Sequence, residues 1–302
     1  MSFLTGTTSP MQIQMYQNNL YYSRNNGQLS HIDLSTNAVN NNIFTFFNYN
    51  SSVFAMYNTY VYYMHINGSI AMGQLINNTF TLISNSAYSS TDPGFVAALI
   101  NPSRTAYYSM NVSNSYLYVS YSGYDHPKAG IIRAKINPDG TLTNVNPAFI
   151  QLSANQSAKS IRATTTNVYM IIGDTISNYT IDGTLVSTNW SNASLSYPQS
   201  IEIYGPYMYV GDANTIQQIN LADGTIHNAT WVNYNNAYFN SLYVYNDTLV
   251  AAVNTYNLIN KYTLPPLPII NLCFIGETPI MTDQGTFPIC QITEKHTIQQ
   301  NP

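Results

Sequence analysis

Charged side chains are nearly missing from this sequence: Asp, Glu, Lys and Arg make up 7% of its 302 residues, against about 25% in an ordinary soluble protein. With nine basic residues, a formal charge of −4 and no basic run, it lacks the phosphate-neutralising surface that nucleic acid binding needs, so no nucleic acid partner is expected. Cysteine is almost absent too. Cys273 and Cys290 are the only two, too few for a disulfide framework. No stretch approaches the ~20 apolar residues that span a bilayer, so no membrane span is expected. The first residues, MSFLTGTTSPMQIQMYQ, carry neither a basic leader nor a long apolar run, and read as having no signal peptide. No serine lies in a Gly-x-Ser-x-Gly elbow.

What is abundant is uncharged. Hydrophobic residues reach an ordinary 45%, and the chain has 27 Tyr and 39 Asn. A polar surface must therefore be built from amides and hydroxyls, which give little field to steer a charged partner. Tyr supplies contact area with a polar tip and suits strands and recognition surfaces equally. Ten Asn-x-Ser/Thr sequons, among them Asn67, Asn111, Asn178 and Asn246, are about what chance gives at this composition.

The strongest signal is an internal repeat. A short aromatic and aliphatic strand recurs as NLYYS from Asn19, TYVYYM from Thr59, SYLYVSY from Ser115, TNVYMIIGD from Thr166, GPYMYVGD from Gly205 and DTLVAAV from Asp247. Its matching positions Leu20, Val61, Leu117, Val168, Met208 and Leu249 are 41, 56, 51, 40 and 41 residues apart, close to the 40 to 50 or so of a four-stranded propeller blade. In the later copies an alternating strand precedes this marker: SIRAT from Ser160, SIEIY from Ser200, SLYVY from Ser241. A third strand follows it, and then Asp139-Gly140, Asp182-Gly183 or Asp223-Gly224, the dipeptide suited to a hairpin needing positive φ. No such unit buries both faces alone, so a closed ring supplies the core. The reading is an all-β chain: a six-bladed β-propeller of four-stranded antiparallel blades over 1–264, a proline-rich linker over 265–272, and a short β-rich tail over 273–302. The sixth copy ends at Pro265-Pro266 without a fourth strand, and the segment around Phe3 to Thr7 is expected to supply that edge. The long second interval, containing STDPGFVAALINPSRTAYY, leaves room for a count of five or seven.

Few residues could carry chemistry. Asp139, Asp182 and Asp223 precede Gly, and Asp174 and Asp212 end marker strands at equivalent places, so all five read as architecture. Glu202, the only Glu within the repeats, is expected to be a solvated strand residue, with a place in the channel as the other choice. His31, His65, His126 and His227 lack ligand-type spacing and read as surface or turn residues. No metal site and no cofactor are expected.

The segment CFIGETPIMTDQGTFPICQI, from Cys273 to Ile292, is of another kind. It resembles the opening block of Hint domains, the self-processing fold of inteins and hedgehog proteins, through Cys273, Phe274, Thr278, Ile280, Thr282, Gly285, Ile289 and Ile292. The resemblance covers about twenty residues. It implies that Cys273 is a self-processing nucleophile acting on the Leu272-Cys273 bond, with Thr282 as the second candidate site residue. Thr293 and His296 have the spacing of the family's later Thr-x-x-His block but follow Cys273 too closely to be it. An incomplete Hint-like segment reads either as a vestige or as part of a longer precursor.

Hint-type segments behind Asn- and Tyr-rich repeats look like proteins of large DNA viruses of protists. The resulting expectation is a structural or binding propeller, not an enzyme, located in a virion or in the cytoplasm of an infected cell. Its partners would be other structural proteins of an assembly or surface glycans, met through Tyr-rich loops. An autoprocessing precursor cleaved before Cys273, and a propeller hydrolase or lyase, are the alternatives.

Overall fold

A computed structural model describes residues 2–4, 10–24, 26–45, 53–64, 69–88, 105–123, 129–153, 156–267, 279–282 and 285–288. The described residues contain strands and turns and no helix. The chain divides into two compact units, Met1–Pro265 and Pro266–Pro302.

The first unit begins with β1 (Ser2–Leu4). A four-stranded antiparallel sheet follows, made of β2 (Pro10–Tyr16), β3 (Asn19–Arg24), β4 (Gln28–Asp33) and β5 (Val39–Thr45). The next comprises β6 (Phe54–Tyr57), β7 (Tyr60–Met64), β8 (Ile70–Ile76) and β9 (Thr79–Tyr88). The third holds β10 (Thr105–Ser113), β11 (Tyr116–Gly123), β12 (Ala129–Ile136) and β13 (Leu142–Leu152). The fourth holds β14 (Ala158–Ala163), β15 (Asn167–Ile172), β16 (Thr175–Thr180) and β17 (Leu185–Ser187). Then come β18 (Ser200–Tyr204), β19 (Tyr207–Gly211), β20 (Ala213–Asn220), β21 (Ile226–Tyr245), β22 (Thr248–Val253) and β23 (Leu258–Thr263). With β1 they form one sheet in the order β1-β23-β22-β21-β20-β19-β18. The sheets surround a channel as a β-propeller.

Sequence reading expected four strands in every sheet, and the seven-stranded one departs from it. The cause is β21, twenty residues long. Its first part pairs with β20, as in Ile219↔Ile226, and its last part with β22, as in Tyr245↔Thr248. Between Ile226 and Tyr245 there is neither Gly nor Pro, so nothing interrupts the extended backbone where the chain crosses from an outer edge to an inner one. The N-terminal strand does lie on the outer edge of β23, with Ser2 opposite Asn260 and Leu4 opposite Ile259. The expected stretch Phe3 to Thr7 overlaps it; Thr5, Gly6 and Thr7 fall outside the described residues, as does most of the long interval after β9.

Register shows how regular the repeat is. Two places after each marker residue, Tyr22, Tyr63, Val119, Met170, Val210 and Ala251 face Ile13, Phe54, Met110, Ile161, Ile201 and Leu242 of the preceding strand. Marker strands are buried on both faces because they lie between neighbouring sheets, whereas the outer β5 and β17 are largely solvated. Apolar clusters fill each gap between consecutive sheets: Tyr21 and Leu29 with Phe54 and Val61, for example, or Ile171 and Ile176 with Ile201 and Met208. A further cluster joins Val250 and Ile259 to Ile13 and Leu20, so the last sheet packs on the first.

Several asparagines are turn residues. Asn58, Asn114, Asn246 and the pair Asn77-Asn78 take positive φ in tight hairpins, a region Asn tolerates better than other side chains with a Cβ. Gly140, Gly183 and Gly224 have φ of 82°, 96° and 75°, which accounts for the Asp-Gly pairs. In each pair the carboxylate accepts hydrogen bonds from residues of its own turn: Asp139 from Thr141, Asp182 from Thr180 before it and Thr184 after it, Asp223 from Thr225. Those bonds hold all three carboxyls below the usual carboxylate range.

Candidate ligand site at the central channel

The strands nearest the channel are β2, β6, β10, β14, β18 and the end of β21. Their polar side chains reach across to other inner strands, in most cases the next one round. Gln12 donates to Phe54 O (2.6 Å) and Met110 O (2.8 Å), and Gln14 Oε1 accepts from Met56 N (2.7 Å). Ser113 Oγ donates to Ala163 O (2.7 Å) and Ser160 Oγ accepts from Ile201 N (3.2 Å). Ser200 Oγ donates to Phe239 O (2.7 Å), and Ser241 Oγ accepts from Ile13 N (3.2 Å), returning to the first sheet. Inner strands are edges with unpaired backbone groups. Short amides and hydroxyls satisfy these groups without bringing in charge.

One register position repeats around this ring. Gln14, Ala55, Asn111, Arg162, Glu202 and Tyr243 lie opposite Tyr21, Tyr62, Tyr118, Tyr169, Tyr209 and Val250 of the marker strands. Four of them, Asn111, Arg162, Glu202 and Tyr243, line a cavity of about 450 Å3 together with Ser113 and Thr164, within the size range of small-molecule sites. Arg162 Nη2 donates to Glu202 Oε2 (3.0 Å) and Leu242 O (3.1 Å), and Nη1 to Ile161 O (2.8 Å). Glu202 Oε1 accepts from Ile203 N (3.0 Å). The two side chains are only 12% and 11% exposed. Tyr243 has its phenol raised, first by burial and then by the Glu202 charge. Two polar atoms at this site are buried without a protein partner: Asn111 Oδ1 and Arg162 Nε.

Glu202 is therefore not the solvated strand residue expected. It is 9% exposed, and an arginine on the neighbouring inner strand pairs with it. Asp174 and Asp212, equivalent in sequence, part company: Asp174 is exposed, whereas the buried Asp212 carboxylate accepts from Ser196 N (2.9 Å) and Tyr197 N (2.6 Å) and so anchors the chain between β17 and β18. His31 is buried against Tyr21, contrary to a surface reading, and His227 is exposed beside Tyr207. His65, His126, Asn67, Cys273, Thr293 and His296 lie outside the described residues. Thr282 belongs to β24 (Pro279–Thr282), which pairs with β25 (Gly285–Pro288), Thr282 facing Gly285. Of the sequons, Asn111 and Asn178 are buried, and Asn246 is exposed.

The tyrosines also read differently once placed. Tyr21, Tyr22, Tyr62, Tyr63, Tyr118, Tyr121 and Tyr209 are among the largest fully buried side chains, so they are core before they are recognition surface. Burial pushes Tyr21, Tyr63 and Tyr209 up to about 12. Exposed tyrosines include Tyr197, Tyr238 and Tyr256, with Tyr197 packed edge-on to Tyr238 at 5.5 Å. Among the described residues, no group of three or more His, Cys, Asp or Glu is placed to hold a metal ion, and no helix is long and apolar enough to cross a membrane.

Asn111, Arg162 and Tyr243 were not legible as a group. The signal that finds them is positional: stacking SMNVS, SIRAT, SIEIY and SLYVY on their marker strands puts Asn111, Arg162, Glu202 and Tyr243 in one column.

The chain matches no protein-family model and no curated protein. It is similar in fold to solved structures. A structural genomics protein of unknown function from Bacteroides thetaiotaomicron VPI-5482 superposes with a TM-score of 0.57 at 14% identity, over 85% of this chain and 69% of that one. An extracellular domain from B. thetaiotaomicron gives 0.52 at 14% identity, over 83% of this chain and 32% of that domain, so the chain spans about a third of it. Likeness at such identity is one of fold.

Proposed function

We propose that this chain is a non-enzymatic binding or structural module built as a six-bladed propeller, a component of a virus particle or comparable assembly that contacts protein or glycan. The blade count rests on treating β21 as two strands, which turns the seven-stranded sheet into one blade of β18 to β21 and another of β21, β22, β23 and β1. The functional reading is carried by how the channel's polar groups are used. Gln12, Gln14, Ser160, Ser200, Ser241 and Arg162 are occupied in tying neighbouring inner strands together, and the Glu202 carboxylate is held by Arg162. Such groups brace a rigid platform; a general acid or base would need its atoms free to meet a substrate. Mass-spectrometric detection of the protein in purified particles is the expected outcome, and recovery solely as a free cytosolic monomer would end this reading.

The tail supports a second role, self-processing before Cys273. Its thiolate would attack the Leu272 carbonyl while the peptide nitrogen leaves as the Cys273 amine, giving a thioester. The antiparallel pair β24 and β25 lies within the segment that carries the Hint resemblance. Expressing the full-length gene beside its Cys273→Ala variant decides the matter: a band lost in the variant supports cleavage, and identical patterns remove it.

A further inference from the structure

Five of the six marker strands carry a tyrosine directly after the marker residue: Tyr21, Tyr62, Tyr118, Tyr169 and Tyr209. Each is buried in the gap between its own sheet and the next one round, Tyr62 in one cluster with Met110 and Leu117, for example, and Tyr169 with Ile201 and Met208. Two of the hydroxyls show where the polar tip goes. Tyr21 Oη donates to Asn78 Oδ1 (2.7 Å) and Tyr62 Oη to Gly140 O (2.6 Å), both in the turn between the third and fourth strands of the following sheet. The third strand of the tyrosine's own sheet meets the ring from the side. His31 lies opposite Tyr21 with ring centroids 5.6 Å apart, and Gln218, opposite Tyr209, donates from Nε2 to the phenol oxygen (3.0 Å).

The sixth repeat breaks this rule. Val250 stands in β22 where the others have tyrosine, in the gap between the last sheet and the first. A valine lacks the phenol that would reach the next turn, and beside it lies a cavity of about 260 Å3. Its walls are those the pattern calls for. Leu34 and Ser35 belong to the turn between β4 and β5, the equivalent of the turns that hold Asn78 and Gly140, and Met15 joins Val250 as an apolar wall. Lys261 lines the cavity too, opposite Val250 in register as Gln218 is opposite Tyr209. Burial lowers the Lys261 pKa, as befits an ammonium partly shielded from water.

Size and charge narrow what fits. A cavity of about 150 Å3 accepts benzene and sites for larger small molecules start near about 300 Å3, so there is room for one substituted ring. The side chains of Met15, Leu34 and Val250 suit its apolar body, and the turn at Ser35 suits a hydroxyl. Among the residues lining the cavity Lys261 alone is charged, which disfavours a cation and favours the electron-rich face of an aromatic ring.

We infer that the seam cavity between the last sheet and the first binds a small uncharged phenol, whose ring takes the place of the tyrosine missing at Val250. The ring lies between Val250, Met15 and Leu34, its hydroxyl meets the turn at Ser35, and Lys261 keeps cations out. This site is separate from the channel cavity and does not depend on membership of a particle.

The test uses the full chain with p-cresol as probe, followed by saturation-transfer NMR and by thermal unfolding. Toluene, which lacks the hydroxyl, and tyramine, which adds an ammonium, are the comparisons. p-Cresol is expected to bind and to raise the melting midpoint, and toluene to bind about fivefold more weakly for want of one hydrogen bond. Tyramine is expected to bind more weakly than p-cresol, and Lys261→Met to narrow that difference. Val250→Tyr restores the repeat and fills the space, so p-cresol binding is expected to fall at least tenfold while the unliganded midpoint rises. Leu34→Trp narrows the cavity from the opposite wall and is expected to lower binding likewise, which keeps the test decisive if Val250→Tyr does not fold. The inference is overturned if p-cresol does not bind the wild type, if toluene or tyramine binds as well as p-cresol, or if a folded Val250→Tyr or Leu34→Trp protein binds it unchanged.

Discussion

His31 shows how far placement can alter a side chain's meaning. In β4 it packs beside Tyr21 at 5.6 Å, 6% exposed, with Nδ1 unpartnered. Burial lowers its pKa from 6.5, opposed by the Asp33 charge. The unfolded chain then binds the extra proton more readily, so His31's contribution is fully present above the ordinary imidazole pKa and lost as pH falls toward the folded value. The melting temperature is expected to drop between about pH 7 and pH 5, and His31→Gln to flatten that drop; identical slopes would assign the effect elsewhere. Two glycines make a contrast of the same kind. A Cβ on Gly211 would lie 2.6 Å from Ser200 Oγ and 2.7 Å from Phe239 Cβ, while Gly173, at φ +61°, has open space around it. Gly211→Ala is expected to cost about 1–3 kcal/mol, and Gly173→Asn to stay within about 0.5 kcal/mol, both read from denaturant midpoints. Neither difference is visible in the sequence, where both glycines end a marker strand as Gly-Asp.

Strands repeat here more faithfully than residues do. The marker strands and the Asp-Gly hairpins were legible because each has a local cause: alternation in one, positive φ in the other. The crossing in β21 was not, because a run of aromatic, amide and β-branched residues gives no local sign of which neighbour each half will pair with. The forward-reaching hydrogen bonds were hidden for a related reason. Ser160, Ser200 and Ser241 open their strands in plain view, yet their partners lie on the next inner strand, some forty or more residues away or back at Ile13. The ion pair on β14 and β18 belongs to this same pattern. Because Arg162 and Glu202 are largely buried, Arg162→Leu or Glu202→Leu alone is expected to destabilise by about 3 kcal/mol or more, leaving a stranded charge, and the double variant by less than the sum. Additive losses in a double-mutant cycle would mean that the two side chains act independently.

The ring as a whole depends on its two ends meeting. β1 covers the outer edge of β23, and the cluster of Ile13, Leu20, Val250 and Ile259 joins first sheet to last. Removing residues 1–5 is expected to lower the melting midpoint by about 5 °C, the effect of roughly 2 kcal/mol in a domain of this size, and to leave an open edge that self-associates. An unchanged midpoint with no concentration-dependent association would show that β1 is dispensable. Local chemistry alone was enough to specify the strand-rich character, the repeat interval, the hairpin turns and the need for a terminal edge strand, since alternation, turn propensity and an unpaired last strand are all properties of neighbouring residues. It could not specify that tyrosines fill the core, that Glu202 meets Arg162, or that Asn111, Arg162, Glu202 and Tyr243 come together at one cavity. Those facts arise where residues from different repeats are pressed together and water is removed, and burial and partnership are set by that proximity.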